Sequence, residues 1–180
     1  MGLVGAGQVL ALAASLLVAP VAGVPAADVV AAGAPGRAGG VLTAPLVARH
    51  SGKCLDVAAD GKGGGVSVQQ WTCDGRKSQE WSLKKTDNGY YTVQATHGGQ
   101  CLDVVNGDRR SGAHVQQWTC MPGARNQEWW LGRRANGYFV LVARHSGKCL
   151  DVQGAGTENG VGVRQWACVR GRASQEWRLA

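Results

Sequence analysis

Three pairs of acidic and aromatic residues could carry a recognition chemistry. Asp56, Asp103 and Asp151 each stand in a Cys-Leu-Asp-Val segment, and a Trp follows each of them after 15 residues. An ionised carboxylate only accepts hydrogen bonds, and an indole presents a flat apolar face. A pyranose sugar needs both groups, because its ring has apolar C–H faces and a rim of hydroxyls. These residue types therefore suit sugar binding, and the alternatives are an Asp that caps a turn and a Trp that is buried in the core.

Polar side chains accompany each Trp. Because alternate side chains of a strand share one face, Gln116 and Trp118 are expected to point the same way. Gln69 and Trp71 have the same spacing earlier in the chain. In the last segment Arg164 replaces the Gln. This Arg either pairs with the nearby carboxylate and closes the site, or favours an acidic sugar.

These residues belong to three copies of one pattern, which recurs every 47–48 residues. Residues 47–57 reappear letter for letter as residues 142–152. A unit of this size cannot bury its apolar face alone, so the copies are expected to pack around one core. Each copy closes with Gln-x-Trp, and the closing residues Trp81, Trp129 and Trp177 are expected in that core.

Short strands are the secondary structure that the sequence favours. Residues 90–95 and 138–143 are rich in aromatic and β-branched residues, as strands are. Asn-Gly dipeptides precede both, at 88–89 and 136–137, and indicate hairpin turns. Roughly four strands per copy predict an all-β fold of about twelve strands around a pseudo-threefold axis.

The six cysteines support the same symmetry. Each copy holds two, 19 residues apart. Six cysteines allow 15 pairings, and the threefold pattern selects the one that stays within each copy. A zinc site needs short clustered spacings, which are absent, so we expect no metal. The predicted disulfides are Cys54–Cys73, Cys101–Cys120 and Cys149–Cys168.

The amino-terminal segment predicts export. No charged side chain occurs before Asp28, and an apolar core is followed by small residues at a cleavage site after Ala26, although no Lys or Arg precedes that core. An uncleaved membrane anchor and a misplaced start codon are the alternatives. We therefore expect a signal peptide at 1–26, a flexible linker at 27–40 and a folded domain at 41–180, in a secreted protein whose disulfides persist outside the cytoplasm.

The three Cys-Leu-Asp, Gln-x-Trp-x-Cys and Gln-x-Trp sets resemble the ricin B-type lectin domain, also found as family 13 carbohydrate-binding modules in secreted bacterial enzymes. The resemblance covers about residues 41–180 and implies a β-trefoil with up to three shallow sugar sites. It implies that the Asp and Asn bind sugar hydroxyls and that the Gln of the closing Gln-x-Trp steadies the Asp. Galactosides and xylan-type polysaccharides are the sugar classes that it suggests.

The resemblance also ranks the three copies. The middle copy keeps the full set of the family, whereas Ser78 and Ser174 replace the Asn in the first and third copies. We expect the middle site to bind best, then the first, then the third. The carbohydrate-binding residues predicted, by copy, are Asp103, Gln116, Trp118, Asn126 and Gln127; Asp56, Gln69, Trp71 and Gln79; and Asp151, Trp166 and Gln175.

No catalytic arrangement is evident in the sequence. Glu80, Glu128 and Glu176 repeat identically, whereas glycoside hydrolysis needs two unlike carboxylates. We expect a monomer that is not an enzyme and needs no cofactor. The net charge of +7 is scattered, so it predicts no nucleic-acid partner, and the mature form is expected to have no membrane partner. The alternative function is a trefoil that binds no sugar and acts as a protease inhibitor or surface adhesin.

Overall fold

The computed structural model describes residues 41–86 and 88–180, so the predicted signal peptide and linker lie outside the described residues. These ranges contain twelve β-strands, which confirms the predicted all-β class and strand number. The strands are β1 Leu42–Ala48, β2 Cys54–Val57, β3 Val66–Trp71, β4 Glu80–Lys85, β5 Tyr91–Ala95, β6 Cys101–Val104, β7 Val115–Trp118, β8 Glu128–Arg133, β9 Phe139–Ala143, β10 Cys149–Val152, β11 Val163–Trp166 and β12 Trp177–Leu179.

Short 3-10 helices join some of the strands, and the sequence pattern did not predict them. They are Ala58–Asp60, Lys77–Gln79, Val105–Gly107, Gln153–Ala155 and Ala173–Gln175. Within the described ranges no helix has the length and apolar character that a membrane crossing needs.

Six strands close into a barrel. Strand β1 pairs with β4, β4 with β5, β5 with β8, β8 with β9, β9 with β12, and β12 returns to β1, all antiparallel. The other six strands form three hairpins, β2–β3, β6–β7 and β10–β11, one in each copy. A closed six-stranded barrel with three hairpins in pseudo-threefold arrangement is the predicted β-trefoil.

Three tryptophans lie in the core at equivalent positions of the three copies. Trp81, Trp129 and Trp177 have no exposed surface, as expected for the closing residues. Burial of one such side chain stabilises the fold by about 4–6 kcal/mol at about 25 cal/mol per Å². Their indole N–H groups donate hydrogen bonds to the carbonyls of Leu55, Leu102 and Leu150, at 2.9, 3.0 and 3.3 Å.

Tight turns and disulfides fix each copy. At the turn between β8 and β9 the N–H of Arg134 donates to the carbonyl of Tyr138 at 2.8 Å, and Gly137 has φ +83°. This is the hairpin that Asn136-Gly137 predicted. The disulfides join Cys54 to Cys73, Cys101 to Cys120 and Cys149 to Cys168, so the predicted pairing is confirmed.

Contacts between copies depend on a buried Gln in each hairpin. The Gln117 side chain has no exposed surface and donates to the carbonyls of Gly61 and Gly63 in the first copy, at 2.8 and 2.7 Å. His97 also contacts that carbonyl of Gly61, at 2.8 Å through Nε2. Because a carbonyl only accepts, Nε2 carries the proton. Each loop is therefore held by its neighbour.

The same contacts recur around the threefold axis. Gln70 and His50 of the first copy bind the loop of the third, and Gln165 and His145 of the third bind the loop of the second. His50, His97 and His145 therefore help to hold the copies together.

Candidate functional site

Hairpin β6–β7 of the middle copy positions the first two site residues. Asp103 of β6 lies directly opposite Gln116 of β7. Trp118 lies two residues further along β7 and is 42% exposed, while Val115 and Gln117, which alternate with these two residues, are buried. A Cβ atom added to Gly64 of the first copy would lie only 3.1 Å from the Trp118 ring. The glycine-rich loop of the first copy therefore packs closely against the indole.

The carboxylate of Asp103 is held by three amides. Gln116 Nε2 donates to Oδ1 at 3.0 Å, while Asn126 Nδ2 and Gln127 Nε2 donate to Oδ2 at 2.7 and 3.0 Å. Burial raises the pKa of the Asp103 carboxyl from its ordinary 3.8, and the hydrogen bonds from Gln116 and Gln127 oppose that rise. Three fixed donors hold the carboxylate in one orientation, as recognition of a polar ligand requires.

These residues surround a depression of about 440 Å³ on the surface of the middle copy. It is lined by Asp103, Gln116, Trp118 and Asn126 of the predicted set. The rest of the lining comes from the loop after β6, whose sequence differs among the three copies, and from an exposed Met. These further residues are Val105, Asn106, Gly107 and Met121.

Gln127 lies behind the depression rather than in it. Only 1% of its surface is exposed. Its Nε2 donates to both Asp103 and the carbonyl of Thr119 at 2.9 Å, while its Oε1 accepts from the N–H of Met121 at 2.8 Å. It therefore orients Asp103 and fixes the segment after β7. Gln79 and Gln175 hold the corresponding segments of the other copies.

The first copy brings its predicted residues together less tightly. Asp56 faces Gln69 across hairpin β2–β3. Ser78 Oγ and Gln79 Nε2 approach the carboxylate of Asp56 only at 3.4 and 3.5 Å. The guanidinium of Arg76 lies 5.8 Å from the centre of the Trp71 ring. The shorter Ser thus leaves the carboxylate less firmly held than the Asn of the middle copy does.

The third copy is occupied by its own arginine. Arg164 Nε pairs with Oδ2 of Asp151 at 3.3 Å, and its guanidinium carbon lies 4.0 Å from the centre of the Trp166 ring. Ser174 Oγ also donates to the carboxylate of Asp151, at 2.8 Å. The side chain of Arg164 contacts both the carboxylate and the indole of its copy. The pairing with Asp151 is the one that the first of the two expected arrangements requires.

Two of the three repeated glutamates form ion pairs with arginines. Glu176 is paired with Arg49 at 2.9 Å and accepts from Asn136 at 2.8 Å, and Glu128 is paired with Arg144. Among the described residues no group of three or more His, Cys, Asp or Glu side chains is placed to hold a metal ion.

Comparison with known proteins identifies the family. The model of the ricin-type beta-trefoil lectin domain matches residues 43–177. A search of curated proteins gave no match. Among solved structures, a designed threefold symmetric protein, ThreeFoil, is 43% identical with a TM-score of 0.74, and the match covers 77% of this chain and 97% of ThreeFoil.

Two larger proteins contain a similar part. An exo-beta-1,3-galactanase from Clostridium thermocellum is 33% identical with a TM-score of 0.73, over 77% of this chain and 30% of the galactanase. The hemolytic lectin CEL-III is 28% identical with a TM-score of 0.64, over 81% of this chain and 32% of the lectin. The chain thus spans about a third of each of them. With a family match over nearly all of the described residues and the trefoil geometry above, the chain belongs to the ricin-type beta-trefoil lectin domain family.

Proposed function

We propose that this chain is a secreted, non-catalytic carbohydrate-binding protein whose principal site is the depression of the middle copy. One observation carries the proposal. An exposed indole, Trp118, and a carboxylate held by three amides, Asp103, face the same open depression. The indole suits the apolar face of a pyranose, and the carboxylate accepts hydrogen bonds from its hydroxyls.

Galactosides are the first sugar class to test, and xylan-type polysaccharides the second. The galactanase that shares 33% identity with this chain supports a galactose-containing ligand. A shallow site of this kind binds a single sugar at about millimolar Kd, or about −4 kcal/mol. Polysaccharides gain apparent affinity where further copies also bind. The looser first copy would add to this gain, and the closed third copy would add least.

The proposal is tested by isothermal titration calorimetry with galactose, lactose, xylose, soluble galactan and soluble xylan. Trp118→Ala should weaken binding about tenfold or more, because the stacking surface is lost. Trp130→Ala is the matched control, since Trp130 is 49% exposed but lies on barrel strand β8 outside the depression. The control should bind as the unchanged protein does.

Two outcomes would contradict the proposal. One is that the unchanged, folded protein binds none of these sugars, which would favour the protease-inhibitor or adhesin alternative. The other is that Trp118→Ala and Trp130→Ala bind equally well. Circular dichroism of each variant shows that the fold is intact.

Export is part of the proposal and has its own test. It is supported by the uncharged residues 1–27 and by three disulfides, which form and persist in oxidising compartments. Expression in a secreting host should release a protein that begins at Ala27, as read by mass spectrometry. An intracellular, uncleaved product would contradict it.

A further inference from the structure

A second depression adjoins the proposed sugar site. It has a volume of about 630 Å³ and lies within the loop that follows strand β6. Val105 and Asn106 line both depressions, so the two are adjacent on the surface. Each volume falls in the range of about 300–1,000 Å³ found for small-molecule sites. The surface thus offers room for a ligand longer than one sugar.

The second depression carries charged and polar groups. Arg110 Nη2 and Nε donate to the carboxylate of Asp108 at 2.6 and 3.0 Å, although the Arg110 side chain is 86% exposed. These hydrogen bonds lower the pKa of Asp108 to about 2, so the ion pair persists at neutral and mildly acidic pH. Ser111 and His114 add exposed polar side chains to the same lining. Sugar hydroxyls both donate and accept, so this mixture of groups suits them.

Asn106 stands at the junction of the two depressions. Its backbone is in the left-handed region, with φ +55°. The equivalent positions of the other copies are Ala59, with φ +53°, and Gly154, with φ +63°. Asn tolerates this conformation better than most residues do. Of the three equivalent positions, only that of the middle copy therefore bears a polar side chain where two neighbouring sugars would meet.

We infer that the middle copy binds two or more consecutive sugar residues of a glycan chain, with the second sugar in the depression lined by Asn106, Arg110 and Ser111. This inference rests on the proposed function, because the first sugar occupies the depression of Asp103 and Trp118. The recognised ligand is then an oligosaccharide or a stretch of polysaccharide rather than a terminal monosaccharide.

The test compares galactose with β-1,3-galactotriose, and xylose with xylotriose, by isothermal titration calorimetry. For the sugar that binds, the unchanged protein should bind the trisaccharide about tenfold or more tightly than the monosaccharide. Arg110→Ala should reduce this ratio to about threefold or less and leave the monosaccharide Kd within about twofold. Ser111→Trp, which fills the second depression, should reduce the ratio towards one.

Arg109→Ala is the matched control. Arg109 is an exposed neighbour with the same charge, but it does not line the second depression. It should keep the full ratio. Equal ratios in Arg109→Ala and Arg110→Ala would overturn the inference.

Two further outcomes keep the inference separate from the proposed function. If the unchanged protein binds a monosaccharide and its trisaccharide equally well, the inference fails and the proposed function stands. If no sugar binds to the folded protein, both fail. At the site of the middle copy, Asp103→Asn should weaken the binding of mono- and trisaccharide by the same factor, and unequal loss would overturn the inference.

Discussion

We expect Asp103 to set the pH range of the proposed sugar binding in the middle copy. Its pKa is raised above 3.8 because burial disfavours the charged form. A protonated carboxyl accepts fewer hydrogen bonds and no longer matches three amide donors. The affinity for sugar should therefore fall as the pH drops through this raised pKa. The fall should begin at a higher pH than it would for an exposed Asp.

The contribution of Asp103 to the free energy of unfolding changes with pH in the opposite direction to the affinity. A carboxyl whose pKa is raised in the folded state adds most to the free energy of unfolding below 3.8, and this contribution is lost as the pH rises through the raised value. Loss of affinity on acidification is therefore not a loss of fold through Asp103. Calorimetric titrations from about pH 7 to about pH 4, with circular dichroism at each pH, check this. Constant affinity over that range would contradict it.

Arg164 gives a second prediction at the scale of one residue. Arg164→Gln removes the guanidinium that covers Asp151 and Trp166 and restores the Gln-x-Trp sequence of the other copies. The introduced amide should donate to Asp151 as Gln116 does to Asp103. We expect one more sugar to bind per molecule, measured as the calorimetric stoichiometry. Arg170→Gln, which removes an exposed charge near the same copy, should leave the stoichiometry unchanged.

The residues of the candidate site were predictable from the sequence, but not all of their contacts were. The spacing of Asp103, Gln116 and Trp118 predicted a common face because the period of a strand is two residues. The identity of Arg164 left two arrangements open, and the choice depended on distances to Asp151 and Trp166. The contribution of Asn106 depends on a left-handed backbone, which no repeat in the sequence reveals.

The elements that hold the copies together are the loops between hairpin strands. Gln70 donates to two carbonyls of the third copy, at 2.8 and 2.9 Å, and accepts from Ser51 at 2.8 Å. Gln117 likewise donates to two carbonyls of the first copy, but its Oε1 is buried without a hydrogen-bond partner. Gly98 stands where Ser51 would be, because a Cβ there would lie 2.9 Å from the Lys62 carbonyl oxygen.

This difference predicts unequal stability losses. Gln70→Ala and Gln117→Ala each remove two hydrogen bonds to the loop of a neighbouring copy, which costs about 1–3 kcal/mol. Gln70→Ala should cost more, because it also leaves the hydroxyl of Ser51 without its acceptor. Urea denaturation measures the free energy of unfolding of both variants. A larger loss in Gln117→Ala would show that the third hydrogen bond adds nothing.

At the scale of the whole molecule, each disulfide closes a loop within one copy, and the described contacts between copies are non-covalent. Replacing Cys101 and Cys120 together by Ala should lower the free energy of unfolding by about 3 kcal/mol, since the loop spans 19 residues. Thermal and urea denaturation measure this loss. The double replacement of Cys149 and Cys168 should cost about as much, and a much smaller loss there would show that the copies are not energetically equivalent.

The repeat period predicted about twelve strands in a pseudo-threefold arrangement, and the resemblance carried by the Gln-x-Trp sets and the cysteine spacing implied the trefoil. The bonds between copies were not predictable, because Gln117 and Gly61 come together only when three copies close into a ring. Likewise, Gln117 Oε1 lacks a hydrogen-bond partner because the Lys62 carbonyl leaves no room for a side chain at position 98. No local sequence pattern indicates this contact.

The last strand pairs with the first: Leu179 lies opposite Leu46, and the N–H of Ala180 donates to the carbonyl of Pro45 at 3.1 Å. A short peptide bridge could therefore join the two ends of the folded region, and the chain could be cut open instead at the exposed Asn136-Gly137 turn. Such a circular permutant should adopt the same fold and keep the proposed sugar binding.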